Sequence, residues 1–186
     1  TQPFINTIKV KNNKPQLLYL SSLTTYKGPQ IILEAMKGLN CHLDLYGEGN
    51  LKPQLEKTIR ENNLDATIHS PAHYQQIPQI CALADIIIFP SLWPEPFGRI
   101  ALEGMASGKI VVGSNIGGIK ETLEQNNGIL FTPCNCEELN TILDNLINQK
   151  MESLPKAAEL QKTVTLKYGE QTVITTLIKT YQTQLP

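Results

Sequence analysis

Asp85-Ile86-Ile87-Ile88-Phe89-Pro90-Ser91-Leu92-Trp93-Pro94-Glu95-Pro96-Phe97-Gly98-Arg99-Ile100-Ala101-Leu102-Glu103 is the stretch that decides the fold. After Asp85 come four apolar residues without alternation, the pattern of a strand buried on both faces, as in a parallel sheet. Pro94 and Pro96 bracket Glu95 and hold it in an extended, non-helical loop. Gly98 then lets a backbone approach closely where a helix starts, and that helix is read as Gly98 to Ser107. The unpaired N–H groups of its first turn, with the positive end of the helix, make an anion site.

Working outward, strands and helices alternate in the order that builds a parallel sheet covered by helices. Strands are expected at Leu17 to Leu20, His42 to Tyr46, Ala66 to His69, Asp85 to Phe89, Ile110 to Val112 and Gly128 to Phe131. Helices are expected at Gln30 to Met36, Lys52 to Glu61, Ile77 to Leu83, Ile116 to Leu123, Cys136 to Ile147 and Glu170 to Thr183. The class is α/β, a Rossmann-like doubly wound parallel sheet. Linkers are placed before Lys14 and between Lys150 and Lys167. In such a sheet ligands bind beyond the carboxyl ends of the strands. Four loops there stand out: Ser21 to Gly28, Gly47 to Asn50, Pro90 to Gly98, and Gly113 to Gly118.

The chain has 186 residues, with 16 Lys+Arg against 17 Asp+Glu and a net charge of -1. That balance gives no field for nucleic acid, so a bound anion must be held by local groups. No apolar run is long enough to span a bilayer, and Thr1-Gln2-Pro3 does not open a secretory signal. Cys134 and Cys136 are the one close pair of the four cysteines. They read as half-buried thiols of a reducing compartment.

Glu103 lies eight positions after Glu95. On a fully helical path the two would be about 12 Å apart, the reach from a sugar ring across a diphosphate to a ribose. Alone, Glu95 could be a helix N-terminal charge and Glu103 a solvated helix residue. The apolar neighbours Ile100, Ala101, Leu102, Met105 and Ala106 argue against a decorative Glu103. Trp93, the single tryptophan, reads as loop packing, with stacking on a sugar or acceptor as the other role.

The run from Pro90 to Gly118 resembles the signature of family 4 glycosyltransferases, retaining enzymes with two facing Rossmann-like domains (the GT-B fold). Glu95 and Glu103 match that family's paired glutamates. Phe97-Gly98, Glu103-Gly104-Met105-Ala106, Gly108, Gly117-Gly118 with Glu121, Tyr26-Lys27-Gly28 and Gly47-Glu48-Gly49 fit around them. The similarity runs from about Gln16 to Ile147, weakly on to Tyr181, and corresponds to the C-terminal, donor-binding half of a family member.

The resemblance implies a site and a division of the chain. Glu95 and Lys27 would be the catalytic residues. Glu95, Pro96, Phe97 and Gly98 would bind the donor sugar. Lys27, Gly98, Arg99 and Ile100 would bind the diphosphate, Glu103 the ribose, and His69, Ser70, Pro71 and Ala72 the base. Gly47, Gly49, Gly117 and Gly118 would be loop glycines near the donor. No metal and no cofactor are implied. The donor would be a nucleotide diphosphate sugar, UDP-glucose or a related UDP-hexose. The segments would be a linker over 1–15, the nucleotide-sugar-binding domain over 16–165, and a C-terminal helix over 166–186 docking toward a missing N-terminal acceptor domain. The setting would be cytoplasmic, with peripheral membrane association through that missing half. Ser22 departs from the family, which usually has arginine there, and Arg99 is a candidate to restore the charge. A non-catalytic nucleotide-sugar-binding module is the alternative. A nicotinamide oxidoreductase is disfavoured because no Gly-x-Gly-x-x-Gly opens the first helix.

Overall fold

A computed structural model of the chain describes residues 14–148 and 157–184. Six parallel strands form one sheet: β1 (Gln16–Leu20), β2 (His42–Tyr46), β3 (Ala66–His69), β4 (Ile86–Phe89), β5 (Ile110–Ser114) and β6 (Ile129–Phe131). Their order across the sheet is β3-β2-β1-β4-β5-β6, so the chain reverses its direction of travel between β1 and β4. Crevices at such a reversal are where doubly wound sheets hold ligands.

Why β1 and β4 are central follows from their residues. Leu17, Tyr19, Ile86 and Ile88 are sealed on one face, and Leu18, Ile87 and Phe89 on the other. The first face is covered by α1 (Pro29–Ala35), α2 (Lys52–Glu61) and α6 (Cys136–Asn148). The second is covered by α3 (Ile77–Leu83), α4 (Arg99–Ala106), α5 (Gly117–Glu124) and α7 (Ala157–Tyr168). The last helix, α8 (Glu170–Gln184), follows α7. All the expected strands and helices are present, with ends that differ by a residue or two.

One expectation is corrected. The stretch between Lys150 and Lys167, expected to be a linker, is helix from Ala157, and Val164 is fully buried against the second face. Its apolar residues are too sparse for a clear helical stripe, so local pattern did not reveal it. The expected linker before Lys14 lies outside the described residues. Cys134 is exposed and Cys136 intermediate rather than both half-buried, while Cys41 and Cys81 are buried. Burial pushes the Cys41 thiol up to about 11 and the Cys81 thiol up to about 12.

The second face is less completely covered over β2 than over β4 and β5. The alternation of β2 puts Leu43 and Leu45 in the core and leaves His42, Asp44 and Tyr46 half-buried on the less covered side. There a chain of charge-assisted bonds forms. Lys14 Nζ donates to Asp65 Oδ2 at 2.8 Å. His42 Nδ1 lies 2.6 Å from Asp65 Oδ1 and its Nε2 3.3 Å from Asp44 Oδ1. His69 Nε2 lies 2.6 Å from the same Asp44 oxygen, and its ring stacks on Tyr46 at 4.3 Å between centroids. An imidazole with carboxylates at both nitrogens can donate at both only in its protonated form.

Burial works against that charge, but the Asp65 hydrogen bond and the Asp44 carboxylate outweigh it and hold the His42 pKa above its ordinary value. A raised histidine pKa adds stability that is complete below the unfolded value and is lost as pH rises through the folded one. A partly exposed pair of this kind contributes up to about 1 kcal/mol. The melting temperature should therefore fall by about 2–4 °C from pH 6 to pH 8.5, and a His42→Gln variant should lose most of that slope. Calorimetric melts across the range check it, and an equal slope in the variant would assign the effect elsewhere.

Candidate functional site

Three carboxyl-edge loops meet above the β1–β4 crevice. The loop after β1 is tied down early: the buried Tyr19 hydroxyl donates to the Ser22 carbonyl at 2.7 Å. It is also stitched to the loop after β2, with Leu23 N donating to Glu48 O at 2.9 Å and Leu51 N to Leu23 O at 3.0 Å. Gly47 and Gly49 back directly onto the Ser21 and Leu23 backbones. The loop ends in a short 3-10 turn, Thr25–Lys27, closed by Gly28 at φ 73°. A Cβ on residue 28 would fall 2.0 Å from the Pro90 carbonyl oxygen. Only glycine fits both that dihedral and that approach, and Leu92 N then donates to Tyr26 O at 2.7 Å.

This docking brings Lys27 to Glu95. The ammonium and the Glu95 Oε1 carboxylate oxygen form an ion pair, both side chains being largely buried. Ser91, fully buried, donates its hydroxyl toward the same oxygen at 2.9 Å. From the other side Gly118 N donates to the Glu95 carbonyl at 2.6 Å. A Cβ at 118 would lie 2.4 Å from Pro96 O, so Gly117 and Gly118 let α5 press its first turn against the glutamate loop. Thr122 Oγ1 adds a bond to Phe97 O at 2.9 Å. The resulting loop is held at both ends and in the middle, and its carboxylate has little freedom.

Gly98, at φ 68°, then starts α4, whose N-terminus has no side-chain cap. The N–H groups of Arg99 and Ile100 are at that end, where a helix attracts anions. Glu103, one turn on, is 6% exposed. Its Oε1 lies 3.4 Å from Arg99 Nε, and its Oε2 is buried with no hydrogen-bond partner among the described residues. Desolvation raises its pKa, with the Arg99 charge opposing. An orphaned buried carboxylate oxygen is costly to keep and is suited to accept a ligand's hydroxyl. The helical distance between the two glutamates does not apply, because Glu95 lies in the loop and the helix begins only at Arg99.

Beside these groups runs a cleft of about 310 Å³. Ser21, Ser22, Gly47 and Glu48 line it from the first two loops, Pro71 and Ala72 from the loop after β3, and Ile77 and Ile100 from the helices. Of the four residues expected at the base, Pro71 and Ala72 therefore line the cleft. Ser70 is exposed, and the His69 ring is turned to Asp44 and Tyr46. The Ser22 and Thr24 hydroxyls lie 3.3 Å apart, and either can donate to the other. The Arg99 guanidinium sits over the Tyr74 ring at 5.7 Å, close to Glu103. Trp93 is 56% exposed. Sequence reasoning assigned no role to Tyr19, Ser91, Thr122 or Tyr168. Tyr168, at the end of α7, packs edge-on against Phe97 at 6.0 Å. Only Ser91 carried a signal, its place directly beyond a buried strand.

The sequence matches the family model described as glycosyl transferases group 1 over residues 2–164. An uncharacterized glycosyltransferase of Methanocaldococcus jannaschii, MJ1178, is 28% identical over 149 residues, 79% of this chain and 40% of that protein. The alpha-D-kanosaminyltransferase of Streptomyces kanamyceticus is 26% identical over 145 residues, 74% of this chain and 37% of the relative. Among solved structures, Anabaena Alr3699/HepE in complex with UDP and glucose superposes with a TM-score of 0.82 at 26% identity, over 92% of this chain and 49% of that one. A glycosyltransferase from Rickettsia africae gives 0.79 at 26% identity, over 93% and 48%. The chain thus spans half or less of the length of each of these proteins.

Glu103 supplies a direct test. A glutamate whose folded pKa is raised weakens the fold where it is ionised, and the penalty disappears as pH falls below the unfolded pKa. Glu103→Gln should raise the melting temperature at pH 8 by about 2–4 °C, the effect of roughly 1 kcal/mol in a domain of this size. The gain should shrink toward pH 4. Thermal melts at both pH values decide; a destabilised variant at pH 8 would mean the carboxylate is well paired.

Proposed function

Because the chain belongs to the glycosyl transferases group 1 family, we propose that it is the donor-binding half of a retaining hexosyltransferase. Its donor is a nucleotide diphosphate sugar, UDP-glucose or a related UDP-hexose. The acceptor is a saccharide or a lipid-linked saccharide of polysaccharide or glycoconjugate synthesis. The observation that carries this reading is the constellation at α4: an ion-paired Lys27–Glu95 couple, an uncapped helix end, and an orphaned buried carboxylate one turn on. The UDP-bound state of the Anabaena neighbour supports the choice of base.

In this reading the ribose hydroxyls give Glu103 Oε2 the partner it lacks. The diphosphate takes the Arg99 and Ile100 N–H groups. As the anomeric bond breaks, negative charge grows on the leaving diphosphate, and fixed donors aimed at that charge lower the barrier. Lys27 is the mobile donor among them: it leaves part of its pairing with Glu95 to meet the phosphate. Glu95, freed at one oxygen and held by Ser91, accepts from the sugar hydroxyls and so orients the ring. Pro96, Phe97 and Gly98 present backbone to the sugar, Gly117 and Gly118 close the space behind it, and Pro71 and Ala72 flank the base. Ser22 leaves the diphosphate with one cation fewer than an arginine would supply, which keeps a second reading open: a nucleotide-sugar-binding module without turnover.

The remaining half of a longer polypeptide would bring the acceptor across the cleft. We assign it a docking surface on α8, where Val173, Ile174, Leu177, Ile178 and Tyr181 are all exposed. No described helix is long and apolar enough to cross a membrane, and we place the protein in the cytoplasm, peripheral to the inner membrane face through that other half.

Titration calorimetry against UDP, GDP, ADP and their hexose derivatives tests the proposal. UDP should bind this chain, and Lys27→Ala should weaken it about 10- to 100-fold, the worth of a charge-assisted hydrogen bond. Glu95→Gln should lose the added affinity of UDP-glucose over UDP. Absence of binding by any nucleoside diphosphate would overturn the donor-site reading. Sugar transfer by these residues alone would overturn the division of labour.

A further inference from the structure

Four aromatic side chains stand half-exposed or more around the glutamate loop: Tyr26 at 52%, Tyr74 at 56%, Trp93 at 56% and Phe97 at 50%. Two have clear partners. Phe97 packs on Tyr168, and Tyr74 lies under the Arg99 guanidinium. Tyr26 and Trp93 differ. They sit on the two loops joined by the Leu92 N to Tyr26 O bond, and the buried Ser91 oxygen, whose one proton serves a single acceptor at a time, lies 3.3 and 3.1 Å from the Tyr26 and Trp93 carbonyls as well as near Glu95. Among the described residues, the one charged or ring partner found for the Tyr26 ring is the Lys27 ammonium, 5.9 Å from its centroid. No ring partner of Trp93 is found among the described residues.

Both rings are thus presented by rigid backbone, with the Lys27–Glu95 couple on the same two loops. Each offers a large apolar area at low conformational cost. Two such faces left in water on loops that also carry the ion pair are available to a ligand. The ligand chemistry is set by the neighbours. A pyranose has one face of C–H bonds that covers an aromatic ring, and a rim of hydroxyls that needs a carboxylate and a cation. Tyr26 and Trp93 supply the first requirement, Glu95 and Lys27 the second.

We infer that Tyr26 and Trp93 form a stacking platform for a hexopyranose ring whose rim hydroxyls reach the Glu95 carboxylate. The inference rests on the donor-site reading for the identity of that neighbour. The ring comes either from the donor or from the acceptor, and the recognition chemistry is the same.

Trp93 is the single tryptophan of the chain, so its fluorescence reports the platform directly. Acrylamide quenching is measured for the protein alone, with saturating UDP, with saturating UDP-glucose, and with UDP plus tens of millimolar methyl glucoside. A sugar stacked on the ring should cut the quenching constant at least twofold relative to UDP alone. Protection by UDP-glucose identifies the donor ring, and protection by the free glycoside the acceptor ring. Tyr26→Ala should abolish at least half of either effect while the free protein keeps its emission maximum. Quenching that no sugar alters, with UDP binding intact by calorimetry, overturns the platform and leaves the donor site standing. Protection by the glycoside without any UDP binding does the reverse. Unaltered quenching together with no UDP binding overturns both.

Discussion

The contact between Gly28 and the Pro90 carbonyl is the constraint on which the site depends. A side chain at 28 would have to occupy space 2.0 Å from that oxygen, so the loops after β1 and β4 can close only over a bare Cα. These are the two strands between which the sheet reverses direction, and their following helices diverge to opposite faces. Without the contact, Lys27 and Glu95 would sit on separate walls of an open crevice. With it they form an ion pair, and the β4 loop gains a fixed partner for its backbone at Leu92. The same device recurs where Gly118 meets Pro96, so the Glu95 loop is clamped from both neighbours in the sheet.

Clamping matters because this loop carries charge into a poorly solvated place. Lys27 and Glu95 neutralise each other there, whereas Glu103 is left with half its carboxylate unsatisfied. A fold that tolerates an unmet acceptor at a helix end with no cap is sacrificing stability locally, and such sacrifices concentrate where a ligand is to be received. The surrounding packing is dense enough to hold it: Gly104 on the same helix lies against Ile87 and Val111, and α7 seals the outer side with Val164.

Coverage of the sheet is uneven, and the polar chemistry follows that unevenness. Over β4 and β5 the second face is closed by α4, α5 and α7, and the residues are apolar. Over β2 that face is less covered, and the strand carries His42, Asp44 and Tyr46 there in place of aliphatic residues. That half-open face runs up to Tyr46, Pro71 and Ala72, which line the cleft. The electrostatic chain from Lys14 to His69 therefore braces the strands beneath one wall of the cleft.

The residues alone determined the layers and the ligand edge. The unbroken apolar run Ile86 to Phe89 forces a doubly covered strand, prolines around Glu95 exclude helix, and the glycine at 98 starts one. Those are local consequences of backbone sterics and hydrophobic pattern, so they are readable one segment at a time. The tertiary structure decided what lies far apart in sequence. It paired Lys27 with Glu95 through a glycine contact, turned His69 away to Asp44, left Trp93 exposed, and made a helix of a segment whose pattern was too weak to announce it. Each depends on what packs opposite: a partner's distance, a carbonyl's position, or the coverage of a sheet face. No window of sequence contains that information, because those partners come from segments tens of residues apart and meet only after the chain folds.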